Sequence, residues 1–356
     1  MDILRDSLVI RMTVLRTPQA MTGTKPNLLI TTDVVDDKTI RTISKYSKVY
    51  KLADLAKDRV DEILPSIDSL LVFSWPIQLT AERLQRMTSL RFIQSILAGV
   101  NHIPFPSLDK NVVVSSNAGA YSEEVAEYAW ALLLSAAKRV VELHVSLREQ
   151  KWTLRRTLDE GSEITVVRER ILGILGFGGI GTAVGRIAKG FGMQVHGFSR
   201  KKSGVKGVKV FTGTSGLTNL LKKSDAVVLA LPLTSQTAKI INAERLSEMK
   251  KDAILVNIAR GELVDEKSVY EHLLANPNFR YATDVWWYRE SRESLKTDYP
   301  FLSLSNFIGT PHVSGPSGLA TGRPVQLAVE NTIRFLRGLK PRNIVNPDEY
   351  KTSHHY

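Results

Sequence analysis

Short apolar runs alternate with amphipathic stretches along most of the chain. Ser69 to Phe73, Leu90 to Leu97, Ile171 to Leu175, Ala226 to Leu231 and Ile254 to Ile258 are rich in Val, Ile, Leu and Phe, and Met193 to Phe198 and Tyr281 to Val285 are shorter on them but strand-like. Such runs read as strands covered on both faces. Asn27 to Thr32, Val49-Tyr50, Val112 to Val114 and Asn306 to Gly309 are shorter candidates. Between them lie helical patterns at Asp36 to Tyr46, in the stretch up to Leu64, and at Thr80 to Met87, where Thr80 is a plausible N-cap. Further helices are predicted over Thr182 to Phe191, Ser268 to Leu274 and about Val325 to Leu336. The broadest stripe, Val125, Ala126, Ala129, Leu132, Leu133 and Ala136, follows Ser122, Glu123 and Glu124 and runs toward Val145 as one long helix. This alternation predicts an α/β fold with parallel sheets.

One unit is more specific. The strand Ile171 to Leu175 meets Gly176-Phe177-Gly178-Gly179-Ile180-Gly181, and a helix and then a second strand follow. Strand, G-x-G-x-x-G, helix, strand is the order of a dinucleotide-binding turn. Gly176 would permit the tight turn, Gly178 would let the backbone approach a pyrophosphate, and Gly181 would let the helix pack close to the strand. Gly179 and Ile180 would sit over that pyrophosphate, at a helix N-terminus whose free N–H groups and dipole favour an anion.

Composition narrows the classes. The chain has 356 residues, 43% hydrophobic and 24% charged, which allows two domains with sizeable cores. No apolar run approaches the roughly 20 residues that cross a bilayer, and the N-terminal stretch is broken by Asp2, Arg5, Asp6 and Arg11, unlike a secretory signal. A cytoplasmic location is therefore expected. Without cysteine there is no disulfide framework, thiolate metal site or cysteine nucleophile. No His and carboxylate cluster has ligand spacing, so no metal is expected. The net charge of +12 allows nucleic-acid binding or a solvated basic surface that draws in anionic cofactor and substrate. The cations are scattered and no nucleic-acid motif is present, which favours the second.

An ordered series of motifs now gives the chain a resemblance. It is carried by Ala98-Gly99-Val100-Asn101, Asn117-Ala118-Gly119 with Val125-Ala126-Glu127, the glycine turn, Leu231-Pro232-Leu233-Thr234, Val256 to Asp265, Asp284-Val285 and Pro311-His312. From about Asn27 to Tyr350 the chain resembles the D-isomer-specific 2-hydroxyacid dehydrogenases. The resemblance implies two Rossmann-like parallel-sheet domains, with the cofactor domain inserted into a discontinuous substrate domain. Residues 1–118 and 317–356 would form the substrate domain and 119–316 the dinucleotide-binding domain. It also implies a homodimer, with the long helix after Ser122 carrying much of the contact, although the same stripe could simply be core.

Reduction of a 2-keto acid needs a hydride donor, a cation for the carboxylate and a proton donor for the developing alkoxide. Arg260, at the carboxyl end of a strand, fits the cation, because its planar fork can take a carboxylate with two bonds. His312 fits the proton donor. His102, His144, His196 and His272 lack that context. By resemblance, a glutamate should lie a few residues past Asp284-Val285 to pair with the histidine, but that position is Arg289. Glu290, one residue on, is expected to take the role, with Glu293 a less favoured substitute. Ala98, Gly99 and Val100 would bind the substrate carboxylate by backbone, and Trp75 would line the pocket or simply pack. Trp286 and Trp287 would narrow the site or belong to the core. Asp284 resembles the residue at the nicotinamide carboxamide. Ile258 and Ala259 would contact the cofactor by backbone, and Pro232 would flank its adenosine side.

Cofactor choice has a physical signature. An acid about 20 positions past the glycines would grip the ribose hydroxyls of NAD. Here the second strand ends in Ser199, Arg200 and Lys201. Cations there would welcome a 2′-phosphate, so NADP is expected over NAD. The expected reaction is hydride transfer between NAD(P)H and a small 2-keto acid such as glyoxylate or hydroxypyruvate. A phosphoglycerate-type dehydrogenase and a dinucleotide-sensing corepressor remain as alternatives.

Overall fold

The computed structural model describes residues 25–76, 78–152, 164–200, 207–289, 292–315 and 322–350. Two parallel sheets form its frame. The first contains β1 (Asn27–Ile30), β2 (Lys48–Lys51), β3 (Ile67–Val72), β4 (Phe92–Ser95) and β5 (Val113–Ser115), in the order β2-β1-β3-β4-β5. The second contains β6 (Ile171–Leu175), β7 (Gln194–Phe198), β8 (Lys209–Phe211), β9 (Ala226–Leu229), β10 (Ile254–Asn257), β11 (Arg280–Thr283) and, after a hairpin of β12 (Tyr288–Arg289) and β13 (Arg292–Glu293), β14 (Phe307–Gly309). Its order is β14-β11-β10-β9-β6-β7-β8. Each sheet reverses strand order once, and the second does so between β6 and β9, where open α/β sheets bind ligands at the strands' carboxyl ends.

The strand sequences explain the layering. Every residue of β3, β4, β9, β10 and β11 is buried, as in a sheet covered on both faces, including the polar Ser69, Gln94, Ser95 and Thr283. Helices start where caps are available: Asp36, Thr80, Asn242 and Asp265 each accept the N–H three residues on. The helix Gly179–Gly190 begins earlier than periodicity suggests, inside the glycine turn itself.

The expected long helix is two helices. Ser122–Lys138 stops at Arg139, which is left-handed (φ 54°), and a second helix, Val140–Arg148, follows it. The stripe from Val125 to Ala136 lies in the core with Ala183, Val184 and Val256, so core is the reading the structure supports for it. The second helix has no buried residue and exposes Val140, Val141, Val145 and Leu147.

The chain returns to the first sheet at its end. The helix Arg323–Leu336 lays Val325, Ala328 and Val329 against Leu28, Ile30, Leu71 and Ile96, and Phe335 stacks on Phe92 at 4.4 Å. Asn117 fastens both crossings between the sheets, donating from Nδ2 to the carbonyls of Ile96 and Pro324, each at 2.8 Å.

Candidate active site

The glycine turn has the shape its residues imply. Gly176 takes φ +96°, and a Cβ there would strike the carbonyl of Ala230 at 2.5 Å. A Cβ on Gly181 would overlap the carbonyl of Gly176, so helix and strand touch by backbone. A Cβ on Gly179 would reach Ser122 Oγ at 2.5 Å, whereas one on Gly178 meets open space. No side chain caps the helix that begins at Gly179, and its first backbone bond runs from Thr182 N–H to Gly178 O. An open face of backbone N–H groups with no Cβ in the way fits a pyrophosphate.

The other residues expected to flank the cofactor lie just past strands of the same sheet. Ile258 and Ala259 are buried just past β10, and Pro232 is exposed past β9. Ser199 closes β7 by donating its N–H to Phe211 O. Arg200 is paired: its Nη1 donates to Glu349 Oε1 at 2.7 Å. Lys201 lies outside the described residues.

Arg260 spans the two sheets. The buried Asn257 shapes its turn, with Oδ1 accepting from Ala259 N–H and Nδ2 donating to the Arg260 carbonyl at 2.8 Å. The guanidinium then lies on the loop after β4, where a Cβ on Gly99 would overlap it. Val100 is buried beneath that loop, with Ala98 half-buried before it. Asn101 Nδ2 reaches across to Leu233 O at 3.0 Å. Close to Arg260 lies His102, whose pKa burial and the Arg260 charge push down to about 4. Its Nε2 is buried with no partner among the described residues. Sequence context alone assigned His102 nothing. Trp75 packs against the first core and donates to Leu79 O at 2.9 Å.

His312 sits on a strained loop. Its φ is +53°, uncommon for a non-glycine residue and a feature of functional sites. Three bonds to the buried Asp284 hold that loop: Thr310 Oγ1 and Val313 N–H donate to Oδ1, and Ser314 N–H donates to Oδ2. Asp284, expected at the carboxamide, is wholly buried and spends its carboxylate on the segment that carries His312. Trp286 and Trp287 are core residues, and the Trp286 indole N–H adds a bond to Thr310 O at 2.8 Å.

The histidine's carboxylate comes from Glu293, with Nδ1 and Oε2 2.6 Å apart. Glu290, the sequence-based choice, lies outside the described residues. The hairpin is the reason Glu293 reaches the ring. Tyr288 pairs with Glu293, and Arg289 with Arg292. Because side chains alternate along a strand, Arg289 faces the opposite side from Glu293. Arg289 instead donates to Glu266 at 2.5 Å and meets Asp298 at 3.0 Å. Tyr288 links the halves of the site. Burial raises its pKa, Arg260 opposes the shift, and Glu293 and Glu262 add to it.

Residues 130–314 match the family model of the D-isomer specific 2-hydroxyacid dehydrogenase NAD binding domain. A glyoxylate reductase of Korarchaeum cryptofilum is 33% identical over 345 residues, covering 92% of this chain and 98% of the relative. The chain belongs to the D-isomer-specific 2-hydroxyacid dehydrogenases. Glyoxylate/hydroxypyruvate reductase B of Escherichia coli is 29% identical over 328 residues, covering 91% of this dehydrogenase and 98% of its relative. Among solved structures, an acyclic imino acid reductase in complex with NADPH and D-Arg has a TM-score of 0.73 at 26% identity, covering 90% of this chain and all of that one. The dehydrogenase is thus an oxidoreductase of 2-hydroxy and 2-keto acids that works with a nicotinamide dinucleotide. Among its described residues no helix is long and apolar enough to cross a membrane, and no three metal-ligating side chains gather.

Proposed function

We propose that this chain is an NADPH-preferring reductase of small 2-keto acids such as glyoxylate or hydroxypyruvate. Residues 1–118 with 317–356 would form its substrate domain and 119–316 its cofactor domain. When bound, the dinucleotide supplies the hydride that the keto carbon receives. Arg260, reaching over Gly99, would hold the substrate carboxylate together with the backbone of Ala98, Gly99 and Val100. Glu293 on Nδ1 orients the His312 ring and leaves Nε2 to give its proton to the keto oxygen as that oxygen gains charge. Gly176, Gly178, Gly179, Ile180 and Gly181 would seat the pyrophosphate, and Ile258, Ala259 and Pro232 would flank the rest. Ser199, Arg200 and Lys201 would face the 2′ position of the adenosine ribose.

The observation that carries this reading is the Glu293–His312 contact, built on the same sheet edge that sends Arg260 to the substrate loop. The test is one panel of glyoxylate, hydroxypyruvate, pyruvate and 3-phosphohydroxypyruvate, each with NADPH and with NADH. Turnover of the small acids with higher kcat/KM for NADPH is expected. Equal or better kcat/KM with NADH removes the cofactor preference, and no turnover of any acid removes the reductase. We further propose a homodimer, supported by the apolar face of Val140–Arg148, with Trp152 exposed beyond it.

A further inference from the structure

We propose that Glu349, in the C-terminal segment, moderates the cofactor selectivity by standing beside the 2′ position from outside the cofactor sheet. This rests on Arg200 meeting the 2′-phosphate, as proposed above. In a dinucleotide fold the acid that grips the ribose usually stands at the end of the second strand. Here Arg200 stands two residues past the end of that strand, and a carboxylate arrives from elsewhere in the chain, 2.7 Å from its guanidinium.

Glu349 is a fixed group. The segment before it is joined to β5 by the Ser115–Ile344 bridge and by Val345 N–H to Val114 O at 3.0 Å. Its own carbonyl accepts from Ser235 N–H, on the loop after β9. The next residue, Tyr350, is buried and stacks on Phe105 at 5.0 Å. The Glu349 side chain is 21% exposed, whereas that of Arg200 is 74% exposed. The carboxylate therefore stays when a dinucleotide arrives, and the arginine is the group free to turn.

Two consequences follow from charge. A 2′-phosphate must draw Arg200 off Glu349 and then sit near that carboxylate, which weakens its binding. A 2′-hydroxyl meets no such repulsion and can donate to Glu349. Glu349 thus moderates the selectivity that Arg200 creates and keeps NADH usable.

The experiment measures kcat/KM for NADPH and NADH, and the affinity of 2′,5′-ADP against ADP by calorimetry, in the full chain. Glu349→Gln is expected to raise the NADPH/NADH ratio about five-fold, as suits an exposed charge pair, and Glu349→Lys to raise it further. Tighter 2′,5′-ADP binding at low salt, fading at high salt, accompanies both. A merely structural Glu349 would lower both cofactors together and leave the ratio fixed, which overturns the proposal. Arg200→Ala separates the two levels. If it lowers the ratio while neither Glu349 variant moves it, only the role of Glu349 is wrong. If it leaves the ratio unchanged, Arg200 does not meet the phosphate and both readings fail.

Discussion

The Arg260 guanidinium lies so close to Gly99 that no side chain fits between them. The arginine comes from the turn after β10 and the glycine from the loop after β4, so the cation proposed to hold the substrate carboxylate is placed by contact between loops of the two sheets. Gly99→Ala is expected to push the guanidinium aside and to lower kcat/KM for glyoxylate on the order of 100-fold. Most of the loss should appear in KM. A steady-state series in keto acid at saturating cofactor checks this, and an unchanged KM would show that Arg260 holds no carboxylate.

Glu293 and Glu290 give opposite outcomes. Glu293→Gln keeps the shape but removes the charge that orients His312, and kcat should drop on the order of 10²-fold. Glu290→Gln should leave turnover and the pH–rate profile near those of the unmodified enzyme. The reverse pattern would restore Glu290 as the histidine's partner.

Asp284→Asn tests the loop. An amide cannot accept at both oxygen positions, so one of the donors from Thr310, Val313 and Ser314 is left unmet in a buried place. The expected cost is about 1–3 kcal/mol. It should show as a lower melting temperature together with a lower kcat, because the same bonds hold His312. Loss of kcat at full stability would instead point to direct contact between Asp284 and the cofactor.

His102 gives a pH signature. Its folded pKa of about 4 lies below the ordinary value of 6.5. Between those values the unfolded chain binds the proton and the folded chain does not. Stability is therefore lost as pH falls from about 6.5 to about 4, by up to about 3 kcal/mol for this group. His102→Asn should flatten the slope of urea-unfolding stability between pH 7 and pH 5, with His196 and His272, also lowered by burial, supplying what remains. An equal slope in the variant would show that His102 titrates normally.

Val141→Glu with Val145→Glu should convert a dimer to monomers by light scattering, with little change in the monomer's fold. Both side chains are about half exposed in a single chain, so their charges cost nothing unless a partner covers them.

Much of this was legible along the chain. Apolar runs marked β6, β9 and β10, since a strand covered on both faces is mostly apolar. The glycine turn could be read because two of its glycines answer local demands, a positive φ at Gly176 and a missing Cβ at Gly181. The edge strand β8 and the helix Gly213–Lys223 escaped notice. The first is short and carries Lys209, and the second opens with Gly213, Thr214, Ser215 and Gly216, poor helix formers held there by packing.

The amino-acid sequence by itself determined the two parallel sheets, the dinucleotide turn and the residue types Arg260 and His312, because these depend on periodicity and local backbone demands. Only the tertiary structure decided that Glu293 meets His312 while Arg289 turns away to Glu266. It also decided that Asp284 is spent on the histidine's loop and that Glu349 stands beside Arg200. Those pairings depend on which side of a hairpin a residue faces and where a distant segment returns, and neither is written in local spacing.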